Sequence, residues 1–198
     1  MARKGILRHG FKADCEKQSE KLREDLETEF NEPLCAFNVA SNLDIPVYKA
    51  TEILKMESDI AILSGTETKP CEWHALTMVT QKGNRIIIHN PFSSNARQQS
   101  DMMHEIAHVI LKHEHKRIDL PIYLLGLWSY DKVQEEEAKC LGATLQLPRK
   151  SLLWARENKM TNEEIATHFN ASKEMVRYRL NSTAVDRQLS YRKDNYGY

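Results

Sequence analysis

The chain has 198 residues, 41% of them hydrophobic, with 28 Lys or Arg balanced by 28 Asp or Glu. That supports one buried core with at most a small appended unit, and the balanced charge gives no global pull toward nucleic acid or an anionic membrane. No apolar run approaches the ~20 residues that span a bilayer. The basic N-terminus is followed by no secretory apolar region. The four cysteines, Cys15, Cys35, Cys71 and Cys140, form no C-x-x-C pair and read as free thiols of a reducing, cytoplasmic compartment.

Helices come first. Residues 13–30 mix Lys and Glu around Leu22, Leu26 and Phe30, an i, i+4, i+8 spacing that predicts an amphipathic helix with one narrow apolar stripe. Pro33 ends it or opens a second helix whose buried side is Leu34, Phe37, Val39, Ala40 and Leu43. Asp44-Ile45-Pro46 breaks that helix, and Val47-Tyr48 begins an extended segment. Residues 73–90 predict a hairpin: strand formers over 75–80, a turn over 81–84, and Arg85-Ile86-Ile87-Ile88-His89-Asn90, β-branched enough to sit at the centre of a sheet. A helix over 97–112 follows, then a loop over 115–130 containing Pro121 and Gly126, with room for one short helical piece. A long helix over 131–147 is stopped by Pro148; a short helix over 151–157 and two more beyond Met160 complete the chain.

His104-Glu105-Ile106-Ala107-His108 lies inside the 97–112 helix and has the form H-E-x-x-H. Positions four apart on a helix lie one above the other, so both imidazoles face the same point. That suits two ligands of a tetrahedral Zn²⁺, with Glu105 in reach of a metal-bound water as general base. Two histidines sharing a face of an ordinary amphipathic helix is the alternative, and catalytic zinc needs a third protein ligand. Glu135-Glu136-Glu137 opens the next long helix. With Ala138, Leu141, Gly142 and Leu145 as its packed face, Glu135 lies roughly 70° from the centre of that face, Glu137 roughly 90° on the other side, and Glu136 nearly opposite. Glu135 is therefore the better ligand candidate, Glu137 the second, and Glu136 points to solvent. Ala138, Gly142 and Ala143 are small enough to let this helix pack closely on the H-E-x-x-H helix. Three glutamates at a helix start also suit the macrodipole without any metal.

The segment from Arg97 through His113, followed by Glu135-Glu136-Glu137-Ala138 and then Leu145-Gln146-Leu147-Pro148, resembles the ImmA/IrrE-type metallo-endopeptidases. Their pattern is H-E-x-x-H, a gap, then E-x-x-A and a helix ending in L-L-x-P. His9-Gly10-Phe11-Lys12-Ala13, Leu43-Asp44-Ile45-Pro46-Val47 and the tail over 165–181 are similar to members with a helical N-terminal segment, so the resemblance covers most of residues 9–188. It implies an α+β, mainly helical fold. A zincin-like metallopeptidase domain with a small β-sheet or hairpin would occupy residues 1–148, and a helix-turn-helix-like tail residues 149–198. It also implies Zn²⁺ as cofactor, His104, His108 and Glu135 as ligands, and Glu105 as catalytic base. The implied substrate is a helix-turn-helix, repressor-type protein whose cleavage derepresses stress, phage or mobile-element genes. Two positions depart from the pattern: Lys139 stands where Asn or Asp is frequent, and Gln146 interrupts the Leu-Leu pair. A non-proteolytic DNA- or protein-binding regulator with structural zinc is the reading from another class; an intact Glu105 argues against it, since a structural site has no use for a base.

Peptide hydrolysis also needs a group to stabilise the oxyanion. Tyr123, Tyr130 and His113 are candidates, and spacing does not choose among them. The strand over 85–90, next to the metal cleft, is placed to pair with an extended substrate. His74 and His89 read as core or surface residues. Residues 161–180 have helix-turn-helix rhythm, with Ala166 at the helix crossing, Asn170 in the left-handed turn position, and Ser172 as N-cap ahead of Arg177, Tyr178 and Arg179. Residues 149–198 hold 10 Lys or Arg against 6 Asp or Glu. That excess is small and Glu174 falls on the would-be recognition helix, so a packing or substrate-docking element is favoured over DNA binding.

Overall fold

The computed structural model describes residues 6–114, apart from 67, 70, 72 and 81, and residues 131–196. The expected loop over 115–130, with Tyr123 and Tyr130, lies outside the described residues.

Helix α1 (Phe11–Asp25) ends sooner than its apolar stripe suggests. Glu27 turns to φ 49° and the Thr28 N–H closes onto the Arg23 carbonyl at 2.9 Å, a left-handed stop. The Arg23 guanidinium then donates to the carbonyls of Glu29 and Glu32, at 2.9 Å each, and folds the following segment back. Phe30 is therefore off the helix, with the Lys150 ammonium 4.7 Å above its ring. Helix α2 (Ala36–Asn42) buries Ala36, Val39 and Ala40. It has no side-chain cap of its own; the Gln99 carboxamide oxygen accepts from the Ala36 N–H at 2.7 Å instead. Leu43, expected inside, is exposed, because the helix has ended and Asp44 takes φ 53°, which turns Ile45 inward in its place.

Strands β1 (Val47–Lys49), β2 (Ala75–Val79) and β3 (Arg85–His89) form one sheet in the order β1-β3-β2. The hairpin and the central place of the Ile-rich strand are as expected. β2 runs antiparallel to β3 with Thr77 opposite Ile87, and β1 runs parallel to it with Val47 opposite Ile87. Two short helices, α3 (Ala50–Ile53) and α4 (Glu57–Ser64), lie between β1 and β2 in the chain. Ile88 packs with Ala50 and Leu63 on one face, while Ile87 faces the main core with Met102 and Ile106. Burial on both faces is what three consecutive isoleucines require.

Helix α5 (Asn95–Ile110) starts at Ser94, whose hydroxyl accepts from the Arg97 N–H. Helix α6 (Lys132–Gln146) starts at Asp131, whose carboxylate accepts from the Val133 and Gln134 N–H groups at 2.9 Å each while the Gln134 side chain returns to the Asp131 N–H. Together with α1, α2 and β3 these helices close the main core, where Met102, Met103, Ile106, Leu141 and Leu145 are fully buried.

The C-terminal helices are α7 (Arg149–Glu157), which begins directly after Pro148, α8 (Asn162–His168), α9 (Lys173–Thr183) and α10 (Val185–Tyr196). That is one helix more than expected after Met160; Ala184 at φ 54° breaks what would otherwise be a single helix. They enclose a second core of Leu147, Leu152, Ile165, Phe169, Val176 and Leu180. The helix-turn-helix details hold: Ala166 is buried, Asn170 has φ 49°, and the Ser172 hydroxyl accepts from the Met175 N–H at 3.0 Å. The fold is α+β and mainly helical, with a small sheet and a helical C-terminal part. Among the described residues, no helix is long and apolar enough to cross a membrane.

Candidate metal centre

His104 and His108 lie one turn apart on the inner side of α5, with their Nε2 atoms 3.1 Å apart and ring planes at 76°. The Asp131 cap fixes the first turn of α6, and from that turn Glu135 places Oε2 3.4 Å from His104 Nε2 and Oε1 3.8 Å from His108 Nε2. The ligand-type atoms of the three residues all fall within 4.8 Å of one another. Tetrahedral bonds of about 2.0–2.2 Å put ligand atoms roughly 3.3–3.6 Å apart; the separations here, 3.1, 3.4 and 3.8 Å, lie within a few tenths of an ångström of that range. Two imidazoles and a carboxylate so spaced can hold one small divalent ion.

Glu105 is 8% exposed, and its Oε2 accepts a 2.6 Å hydrogen bond from the hydroxyl of Thr77, a buried residue on β2. Burial pushes the Glu105 carboxyl above the ordinary glutamate range and Glu135 adds to this, while Thr77 and His104 pull the other way. For His104 burial opposes the charged form, but the carboxylates of Glu135, Glu105 and Asp101 outweigh it, so its pKa stands above that of an ordinary histidine.

Behind His108 lies a group that the sequence did not assemble. Helix α5 ends in a left-handed turn: Lys112 has φ 55°, its N–H reaches the Val109 carbonyl at 3.1 Å, and the His113 N–H reaches the His108 carbonyl at 3.0 Å. This double closure lays residue 113 over residue 108. The two Nδ1 atoms are 2.9 Å apart, and His113 Nε2 is 3.2 Å from Glu137 Oε2. Arg85, at the start of β3, donates to the carbonyls of His108 at 3.1 Å and His113 at 2.9 Å.

The three glutamates thus separate. Glu135 joins the histidine pair, Glu137 pairs with His113, and Glu136 is half-buried rather than turned to solvent. Glu136 lies near Tyr178 of α9, a neighbour that a wheel drawn on one helix does not register. His113, a candidate for the oxyanion, is instead buried between His108 and Glu137. Tyr123 and Tyr130 lie outside the described residues. His74 bonds the Ser93 hydroxyl at 3.2 Å and His89 sits edge-on to Phe37; neither joins the group. Strand β3 has both edges taken, by β1 and β2, so it cannot receive a substrate strand; among the described residues β2 is the edge strand beside Glu105. Thr77 and Arg85 were missed. Their signals were an inward-facing hydroxyl in an alternating strand and a lone charge opening an Ile run.

In the tail, Arg179 is 3% exposed and donates through Nε to the Leu147 carbonyl at 2.8 Å and through Nη2 to Glu16 at 2.7 Å. Arg177 pairs with Glu174 at 3.3 Å, and the Lys139 ammonium lies 5.4 Å from the Tyr178 ring centre.

No curated protein matches the chain. Residues 65–181 match the model of a peptidase family described as the IrrE N-terminal-like domain, Peptidase_M78. That span runs from the end of α4 through the hairpin, α5 and α6 to α9, and so takes in His104, Glu105, His108 and Glu135 together with the turn that carries His113. More than half of the chain is covered, and the chain therefore belongs to the Peptidase_M78, IrrE N-terminal-like family.

Proposed function

We propose that this chain is a zinc-dependent endopeptidase that cleaves a helix-turn-helix, repressor-type regulatory protein and so derepresses stress, phage or mobile-element genes. The observation that carries the reading is the meeting of His104, His108 and Glu135 within 4.8 Å, with Glu105 beside them on the same helix and held by Thr77. His104, His108 and Glu135 would hold the ion. Zinc bound there supplies Lewis acidity, lowering the pKa of a water and polarising the scissile carbonyl. Glu105 takes the water proton and passes it to the leaving amine. Its hydrogen bond from Thr77 fixes one carboxylate oxygen and leaves the other for that proton. Burial of Glu105 raises its proton affinity, which suits a group that must accept a proton and then release it. An extended substrate is best received along β2, which among the described residues is the edge strand next to the base.

The tail does not bind DNA specifically on its own in this reading. Arg179 is used inside the fold, Arg177 is paired, and Tyr178 faces Lys139, which leaves the would-be recognition helix poor in groups for bases or phosphates. The four cysteines are free, which suits the reducing cytoplasm.

The test is zinc content and cleavage measured on the same preparations. A small helix-turn-helix protein encoded beside this chain is the first substrate to try, captured with the Glu105→Gln variant as a trap. Wild type should carry one zinc and cleave its partner, whereas Glu105→Gln should keep the zinc and lose on the order of 10²–10⁴-fold in rate. Glu135→Gln should lose the metal. A Glu105→Gln protein that processes the partner at the normal rate would sink the enzyme reading.

A further inference from the structure

His113 and Glu137 have no part in the proposed hydrolysis, yet they form an ordered chain behind His108. His108 Nδ1, His113 Nδ1, His113 Nε2 and Glu137 Oε2 follow one another through contacts of 2.9 and 3.2 Å, with His113 only 5% exposed. We propose that His113 and Glu137 are positioning residues that fix the orientation and tautomer of His108, so that its Nε2 lone pair faces the point shared with His104 and Glu135. The proposal rests on the metal reading above.

The argument is one of proton counting. A neutral imidazole has one N–H and one lone pair. For His108 to offer a metal its Nε2 lone pair, its proton must sit on Nδ1, which meets His113 Nδ1 at 2.9 Å. His113 must then accept at Nδ1 and carry its own proton on Nε2. That N–H points at Glu137, a carboxylate that only accepts. The opposite order, with His113 donating from Nδ1, would put the His108 proton on Nε2 and close the metal position. A carboxylate at the far end selects the first order for two neutral rings. Ligating histidines commonly give their second N–H to a carboxylate or carbonyl; here an imidazole is interposed.

The backbone is built to hold this arrangement. In the left-handed helix stop, the residue after the positive-φ position packs over the residue five before it, usually as an apolar pair. Here that pair is His113 and His108. Lys112 adopts φ 55° to make the turn, a conformation that disfavours a side chain by roughly 1–2 kcal/mol. Arg85 ties the carbonyls of both histidines from β3, so ring and backbone positions are set together. Glu137 comes from α6, two residues beyond Glu135, so one helix turn supplies both the third ligand and the end of the chain.

The test is zinc affinity of the intact chain, measured by competition with a chromophoric chelator and requiring no substrate. His113→Phe keeps a ring and removes both nitrogens; it should weaken zinc binding by about 10–100-fold. Glu137→Ala should weaken it in the same direction, and Glu137→Gln, whose amide oxygen still accepts from Nε2–H, should recover most of the loss. Long-range ¹H–¹⁵N spectra of the zinc-loaded wild type should place the His108 proton on Nδ1 and the His113 proton on Nε2. Because misfolding would also weaken zinc binding, thermal unfolding of the metal-free proteins is run beside it. A purely structural role would lower the metal-free Tm and leave the affinity of the surviving folded protein, and the Gln-for-Ala rescue, unaccounted for. Zinc affinity of His113→Phe within twofold of wild type, or a His108 proton found on Nε2, would overturn the proposal while leaving the metal site standing. A wild type that takes up no zinc would overturn both.

Discussion

Gly142 on α6 lies so close to α5 that a β-carbon there would stand 2.8 Å from the Met103 carbonyl oxygen and 3.0 Å from the His104 nitrogen. The contact is with the peptide that carries the first histidine of the H-E-x-x-H segment, and Glu135 lies seven residues, about two turns, upstream on the same helix. Both contacting atoms are backbone, so they cannot swing aside. The spacing of the proposed ligands is therefore set by the absence of a side chain at position 142.

Gly142→Ala should separate the two helices. Overpacking of this kind costs about 1–3 kcal/mol, against which the better helix propensity of alanine returns only about 1 kcal/mol. Denaturant unfolding of the metal-free variant should show reduced stability, and chelator competition should show weaker zinc binding as Glu135 moves from the histidines. An alanine variant as stable as wild type, with undiminished zinc affinity, would mean that the close crossing does not set the site.

The sequence made much of this legible, and the parts it hid have a common cause. H-E-x-x-H, the E-x-x-A segment and the small residues of α6 are local patterns on helices, where period alone assigns a face; the α+β class was what the family resemblance carried by these motifs implied. Asn170 and Ser172 announced their turn and cap because single residues carry those signals. Thr77, Arg85 and the pairing of His113 with Glu137 join elements far apart in the chain, and no periodicity records such a contact. Phe30 failed for the same reason. Its stripe position was correct, but the Arg23 guanidinium, bonded to carbonyls six and nine residues on, ended the helix before it was reached.

Thr77 should matter for turnover and not for metal. Its hydroxyl donates to Glu105 Oε2, and hydrogen bonds to charged groups contribute about 1.5–3 kcal/mol. Thr77→Val keeps the shape and removes the donor; kcat should fall by roughly 10-fold or more, with KM and zinc content little changed. The pH profile gives a second readout. Burial raises the Glu105 pKa and Thr77 lowers it, so loss of Thr77 must raise it further. Glu105 acts as base only when ionised, and the acid limb of kcat/KM should therefore move to higher pH. Thr77→Ser should restore both rate and profile. An acid limb that stays in place in Thr77→Val would show that the hydroxyl is not tuning the base.

Arg179 separates two views of the tail. As a recognition-helix cation it would be expendable for folding and needed for DNA. The structure puts it inside, 3% exposed, tying α9 to the end of α6 through the Leu147 carbonyl and to α1 through Glu16. Removing one partner of a buried pair typically costs about 3–5 kcal/mol; Glu16 is partly open to water, so the lower end applies. Arg179→Met should thus lower the stability of the whole chain by about 3 kcal/mol in denaturant titration. Fluorescence anisotropy with operator-like duplexes at physiological salt should give no tight complex for wild type, because specific binding calls for several phosphate contacts and a steep salt dependence. Tight wild-type binding that Arg177→Ala abolishes, together with an Arg179→Met protein as stable as its parent, would reverse the assignment and make the tail a DNA reader.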